Sequence, residues 1–182
     1  TIYTQSEYIY ILGNTQDAGM PHIGCKHKFC LDNFNTYEEY YVTSIAVVNQ
    51  EKNKYILFEA TPDITHQLNY LKDNIFQEFL LPEALYITHA HIGHYTGLMY
   101  FGKEGMNTSK TPVFVMPKMK KFIEGNAPWS QLVNSKNISL NSSEMDTLLY
   151  TTNFNLNVVI SNVEIKQDKQ IKKTDIQIDT YD

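Results

Sequence analysis

The sequence contains no arginine. All 15 basic residues are lysine, set against 20 acidic ones, and the net charge is −5. The guanidinium fork that makes bidentate contacts to guanine and phosphate is missing, which counts against nucleic acid as the main partner. Cysteine is scarce at 2 residues and glycine at 8, so disulfide-scaffold and collagen-like chains are excluded. No apolar run approaches the roughly 18 residues that span a bilayer. There is no Gly-rich loop to cradle phosphates, no Ser or Cys nucleophile elbow, and no internal repeat. Histidine also runs out early. The six are His22, His27, His66, His89, His91 and His94, and none follows.

What remains is globular in character. The chain has 182 residues, 42% hydrophobic and 13% aromatic. A chain this long buries roughly 70% of its unfolded surface, enough for one core. Aromatic residues nearly vanish after about residue 162, so the expected division is one domain over 1–162 and a divergent polar tail over 163–182. The chain starts at Thr1, which reads as a processed or trimmed start. A cytoplasmic location and export with the signal removed both stay open, and two cysteines do not decide between them.

Hydrophobic patterning gives a coarse element order. Residues 8–12 (Tyr-Ile-Tyr-Ile-Leu) read as a buried first strand stopped by Gly13-Asn14, with a long loop through Gly19, Pro21 and Gly24. Two β-rich runs, 41–48 and 55–59, flank a polar hairpin turn. Thr61-Pro62-Asp63 is a helix start with a Thr cap, Pro at the first position and an acid in the first turn. Ile64, Leu68 and Leu71 then recur at helical spacing. Residues 84–88 form another strand, 95–101 a short helix, 113–116 a strand and 117–124 a Lys-rich helix. Alternating strands and helices predict an α/β layered fold. In the tail, Val163/Ile165 and Ile176/Ile178 alternate as in a polar hairpin.

The chemistry lies in Thr88-His89-Ala90-His91-Ile92-Gly93-His94-Tyr95-Thr96-Gly97. Side chains two apart on an extended segment point to one side, so His89 and His91 can offer two imidazoles to one ion. A sharp turn at Gly93 can bring His94 to the same point. Imidazole suits zinc, iron, copper or nickel and is largely neutral near pH 7. Three unrelated loop histidines are the plainer alternative, but six histidines in 182 residues make such a pattern a chance event of roughly 1% over the chain.

This segment resembles the H-x-H-x-D-H metal motif of the metallo-β-lactamase fold, placed as there after a hydrophobic strand. Leu12-Gly13-Asn14 after the first strand and Ile56-Leu57-Phe58-Glu59-Ala60-Thr61 at a strand end fit the same fold. Gln16-Asp17-Ala18-Gly19 and Pro21-His22-Ile23-Gly24-Cys25 are similar to the branch related to pyrroloquinoline quinone synthesis protein B. The resemblance covers roughly residues 6–140. It implies an αββα sandwich with a metal site at one sheet edge and hydrolysis by metal-activated water. Iron-dependent oxidative chemistry also occurs in the quinone-synthesis branch. By position, His89 and His91 match ligands of a first metal and His94 a ligand of a second.

Two departures qualify that expectation. Gly93 stands where the motif has the Asp that ligates the second metal and orients water, so a single ion or a rearranged site is expected. The family's later ligands include further histidines, and none follows His94, so the sandwich is expected to be incomplete in its second half. Exposed sheet surface would then favour self-association. Zinc is the expected cofactor, with iron or manganese as alternatives, and the expected partner is a small-molecule substrate.

A second cluster, His22, Cys25, His27 and Cys30, lies within nine residues of a Gly/Pro loop. It can be read as a tetrahedral N/S metal site, as two free thiols, or as a local disulfide. Asp17 and Asp63 are candidates to orient the histidines, though Asp63 is already explained as a helix-start acid. His66 reads as a helix-surface residue, Lys118, Lys120 and Lys121 as a solvated face, and Trp129 as packing. Three functions follow: a metal-dependent hydrolase, a non-catalytic metal- or small-molecule-binding member, and a quinone-synthesis-like oxidative protein.

Overall fold

The computed structural model describes residues 7–34, 40–142 and 165–166. Seven strands form one sheet in the order β6-β5-β4-β3-β2-β1-β7. They are β1 (Glu7–Gly13), β2 (Ser44–Asn49), β3 (Lys54–Phe58), β4 (Ala84–Ile87), β5 (Thr111–Val115), β6 (Ile138–Asn141) and the two-residue β7 (Ile165–Lys166). β1–β2 and β2–β3 pair antiparallel, and β3 to β6 run parallel. β7 lies parallel to β1. The helices are α1 (Lys28–Asn33), α2 (Ile64–Leu71), α3 (Pro117–Gly125) and α4 (Trp129–Asn134), and a π-turn (Lys72–Phe76) prolongs α2.

Strand periodicity divides the core. Tyr55 and Leu57 face the helices, where Ile64, Leu68, Leu71, Leu98, Phe101 and Ile123 bury their side chains. Ile56 and Phe58 point the other way, into a smaller cluster with Val47, Ala84 and Tyr86. There the rings of Phe58, Tyr86 and Phe114 stack in a row, with centroids 5.1 and 4.9 Å apart. Offset stacking of this kind adds about 0.5–1.5 kcal/mol per pair beyond area burial.

Most expected elements are present, with shifted ends. β2 begins at Ser44 rather than Tyr41, because residues 40–43 pair with the loop after β1 instead of continuing the ladder: Asn14 and Thr15 N–H both donate to Tyr41 O at 3.0 Å, and Thr43 N–H donates to Thr15 O at 3.0 Å. The expected helix at 95–101 is a 3-10 helix over Thr96–Phe101. Pro62 does not occupy the first helical position; α2 starts at Ile64, and Thr61 Oγ1 accepts the Asp63 N–H at 3.1 Å. The expected tail pattern, apart from β7, lies outside the described residues.

The topology decides where a site can form. With β1 and β3 both antiparallel to β2, β1 runs in the direction of β3 and β4, so all three strands end at the same sheet edge. Carboxyl ends of parallel strands are where α/β folds gather their sites. At this edge the chain leaves β1 for the loop carrying Asp17, leaves β3 at Glu59, and leaves β4 for the segment from Thr88 to His94.

Candidate metal centre

His89, His91 and His94 converge, with one ring nitrogen from each within 4.8 Å of the others. The His89 ring centroid is 4.5 Å from that of His91 and 4.1 Å from that of His94. Extended backbone at His91 leads into a tight 3-10 turn, Ile92–His94, closed by His94 N–H donating to His91 O at 2.9 Å. That turn carries His94 back beneath the other two. Ala60 N–H donates to His94 O at 2.9 Å, and Gly97 N–H donates to Ala60 O at 2.8 Å, which ties the segment to the end of β3. Gly97 is required there, since a Cβ would stand 2.2 Å from Thr61 O. Tyr95 packs its ring on Trp129 behind the cluster, as expected of a packing tryptophan.

Glu59 anchors the first histidine. It is a buried acid in the left-handed region at φ 72°, a conformation that costs a non-glycine residue about 1–3 kcal/mol. Its carboxylate accepts the Thr88 hydroxyl in a short hydrogen bond and faces the Thr88 N–H at 3.3 and 3.4 Å. With its proton given to Glu59, Thr88 Oγ1 accepts from His89 Nδ1 at 2.8 Å. The proton of a neutral His89 is then on Nδ1, and Nε2 is left with its lone pair free. Burial pushes the Glu59 carboxyl above its ordinary range, while Thr88 and His94 pull it back. For His89, desolvation and the neighbouring His94 and His91 push the imidazole below its ordinary value, against the pull of Asp17. A neutral imidazole is the ligating form.

The other two histidines share an acid. Asp17 Oδ1 lies 3.0 Å from His94 Nε2, and Asp17 Oδ2 lies 3.5 Å from His91 Nδ1. His94 is mostly buried, and its Nδ1 faces Glu59 Oε2 at 3.5 Å without a well-formed hydrogen bond. Asp17 sits in a tight turn closed by Gly19 N–H donating to Gln16 O at 2.8 Å, with Gly19 at φ 72°. Asp63, the other acid considered for this role, does not reach the histidines. Its carboxylate accepts the Val42 N–H at 2.8 Å, and Gln67 Nε2 donates to Val42 O at 2.8 Å. Asp63 therefore braces the segment that holds the Asp17 loop. His66 stacks on Tyr41 at 5.3 Å, away from the cluster.

The loop cluster takes the disulfide alternative. Cys25 and Cys30 are bonded to each other, so neither offers a thiolate in this form, and the four-ligand site of His22, Cys25, His27 and Cys30 is not assembled. His22 Nδ1 instead lies 3.0 Å from Ile23 O. These residues, with Gln16, Phe29 and Tyr40, line an open cleft of about 700 Å³ next to the Asp17 turn. α1 begins inside this loop, at Lys28.

The donor set fits a divalent metal ion. Three imidazoles converge, burial and the neighbouring histidines push His89 toward its neutral form, and a carboxylate lies alongside. No family model and no curated protein matches the chain. A solved structure described as a new diphosphatase from the PhnP family superposes with a TM-score of 0.55 at 19% identity. The match covers 76% of this chain and 51% of that one, so the chain spans about half the length of the structure it matches. The chain has the metallo-β-lactamase fold.

Proposed function

We propose that the chain provides the histidine side of a metal-dependent hydrolase centre acting on a small molecule. The observation that carries this reading is the convergence of His89, His91 and His94 at the carboxyl ends of β1, β3 and β4. A bound zinc ion, or manganese or iron in its place, would lower the pKa of water and polarise the bond under attack. The residues supply the holding. His89 presents Nε2 because Thr88 and Glu59 fix its proton on Nδ1. His91 stays solvent-facing and open to substrate, with 73% of its side chain exposed. His94, mostly buried, would hold the ion from the inner side. The diphosphatase likeness makes a phosphoric ester or anhydride the first substrate class to test.

The experiment is hydrolysis of bis(p-nitrophenyl) phosphate and of a simple diphosphate ester. Activity that a chelator abolishes and added zinc or manganese restores supports the reading, and its loss in His89→Ala ties it to the cluster. Metal binding without turnover supports the second reading, a non-catalytic metal-binding member. Gly93 in the motif favours that one. Oxygen uptake with Fe²⁺ would instead support the quinone-synthesis-like reading, which stands on Gln16-Asp17-Ala18-Gly19 and the loop after it.

A further inference from the structure

Gly93 is buried, and its φ is not in the left-handed region, so no turn conformation demands glycine there. Space does. A Cβ built on Gly93 would stand 2.6 Å from Asp17 Cβ, 2.8 Å from Asp17 Cα and 2.9 Å from Asp17 O. The volume that a side chain at position 93 would fill is already taken by Asp17, which arrives from the loop after β1. Its carboxylate then points at the histidines, 3.0 Å from His94 Nε2 and 3.5 Å from His91 Nδ1.

We propose that Asp17 is the carboxylate ligand of the metal centre, supplied from the β1 loop in place of a carboxylate at position 93. An acid at 93 has no room against the Cα, Cβ and carbonyl of residue 17, and Asp17 packs against this segment only because position 93 carries no side chain. Three imidazoles and one carboxylate make an N₃O set, a combination that zinc accepts in tetrahedral geometry. The Asp17 loop is rigid enough for the role. Thr15 and Val42 form a β-bridge, Met20 and Tyr40 another, and the Gln16–Gly19 turn lies between them. This inference rests on the metal reading above and adds the identity of the oxygen ligand.

The test is zinc affinity by competition with a chromophoric chelator, with the visible spectrum of the Co²⁺-loaded protein as second readout. The proteins are wild type, Asp17→Asn and Gly93→Asp. Asp17→Asn keeps the shape of the side chain and removes its charge; it is expected to fold as wild type by circular dichroism, to bind zinc at least about 10-fold more weakly, and to change the Co²⁺ spectrum. Gly93→Asp is expected to weaken binding because the two residues collide. If Asp17→Asn binds zinc as wild type does with the same Co²⁺ spectrum, Asp17 is not a ligand and the inference is overturned while the histidine centre stands. If wild type binds no zinc, the inference and the metal reading fall together.

Discussion

Gly93 and Asp17 lie against each other backbone to backbone, although His94, next to Gly93, is 77 positions from Asp17 in the chain. Any side chain at 93 must push on main-chain atoms of Asp17, which cannot rotate away. Gly93→Ala is therefore expected to destabilise the protein by about 1–3 kcal/mol, the usual cost of forcing a methyl into filled space. Gly125, at the end of α3, provides the contrast, since a Cβ there meets nothing within 4 Å. Gly125→Ala is expected to be neutral or stabilising by up to about 1 kcal/mol. Urea unfolding of the two variants checks the pair, and equal effects would contradict the packing described.

Glu59 combines backbone strain with a polar anchor, and substitution can separate the two. Glu59→Ala removes the acceptor for the Thr88 N–H and hydroxyl, and is expected to cost about 1–3 kcal/mol. Glu59→Gly loses the same acceptor but relieves the strain at φ 72°, so it is expected to be more stable than Glu59→Ala by about 1 kcal/mol. Thermal unfolding of both variants is the measurement. An alanine variant as stable as the glycine variant would show that the left-handed backbone is not fixed at this position.

Much of this arrangement is legible in the sequence, for reasons of period. β1, β3 and β4 are short apolar runs of β-branched and aromatic residues, and α2 repeats Ile64, Leu68 and Leu71 at helical spacing. The three histidines stand out because local spacing alone brings them together. What the sequence hides is of another kind. α1 and α4 are six residues each, too short for two turns of periodicity to register. β6, Ile-Ser-Leu-Asn, is too short for its alternation to stand out. The meeting of Asp17 with Gly93 follows from the strand order, which sets two loops against each other, and not from spacing. For Cys25 and Cys30, the spacing alone left a metal site, two free thiols and a disulfide all open.

Tyr55 offers a test of the core by pH. Its hydroxyl donates to Leu80 O at 2.8 Å, and burial raises its pKa well above the ordinary value of 10.0. A group whose folded pKa is raised adds stability that is fully present below its unfolded pKa and is lost as pH climbs from there toward the folded value. Wild-type stability is thus expected to fall above about pH 10. Tyr55→Phe is expected to lose about 0.5–1.5 kcal/mol at pH 7 and to show a shallower fall above pH 10. Denaturant midpoints for both proteins at pH 7, 10 and 11 test this. Parallel curves would mean that Tyr55 is free to ionise in the folded state.

The central claim is that His89, His91 and His94 form one metal centre, and metal content reads it most directly. Purified protein is to be analysed by inductively coupled plasma mass spectrometry after zinc loading and exhaustive dialysis, beside His89→Ala and a His66→Ala control. About one ion per chain is expected in wild type and in His66→Ala, and close to none in His89→Ala. No metal above background in wild type, or the same content in all three proteins, would contradict it.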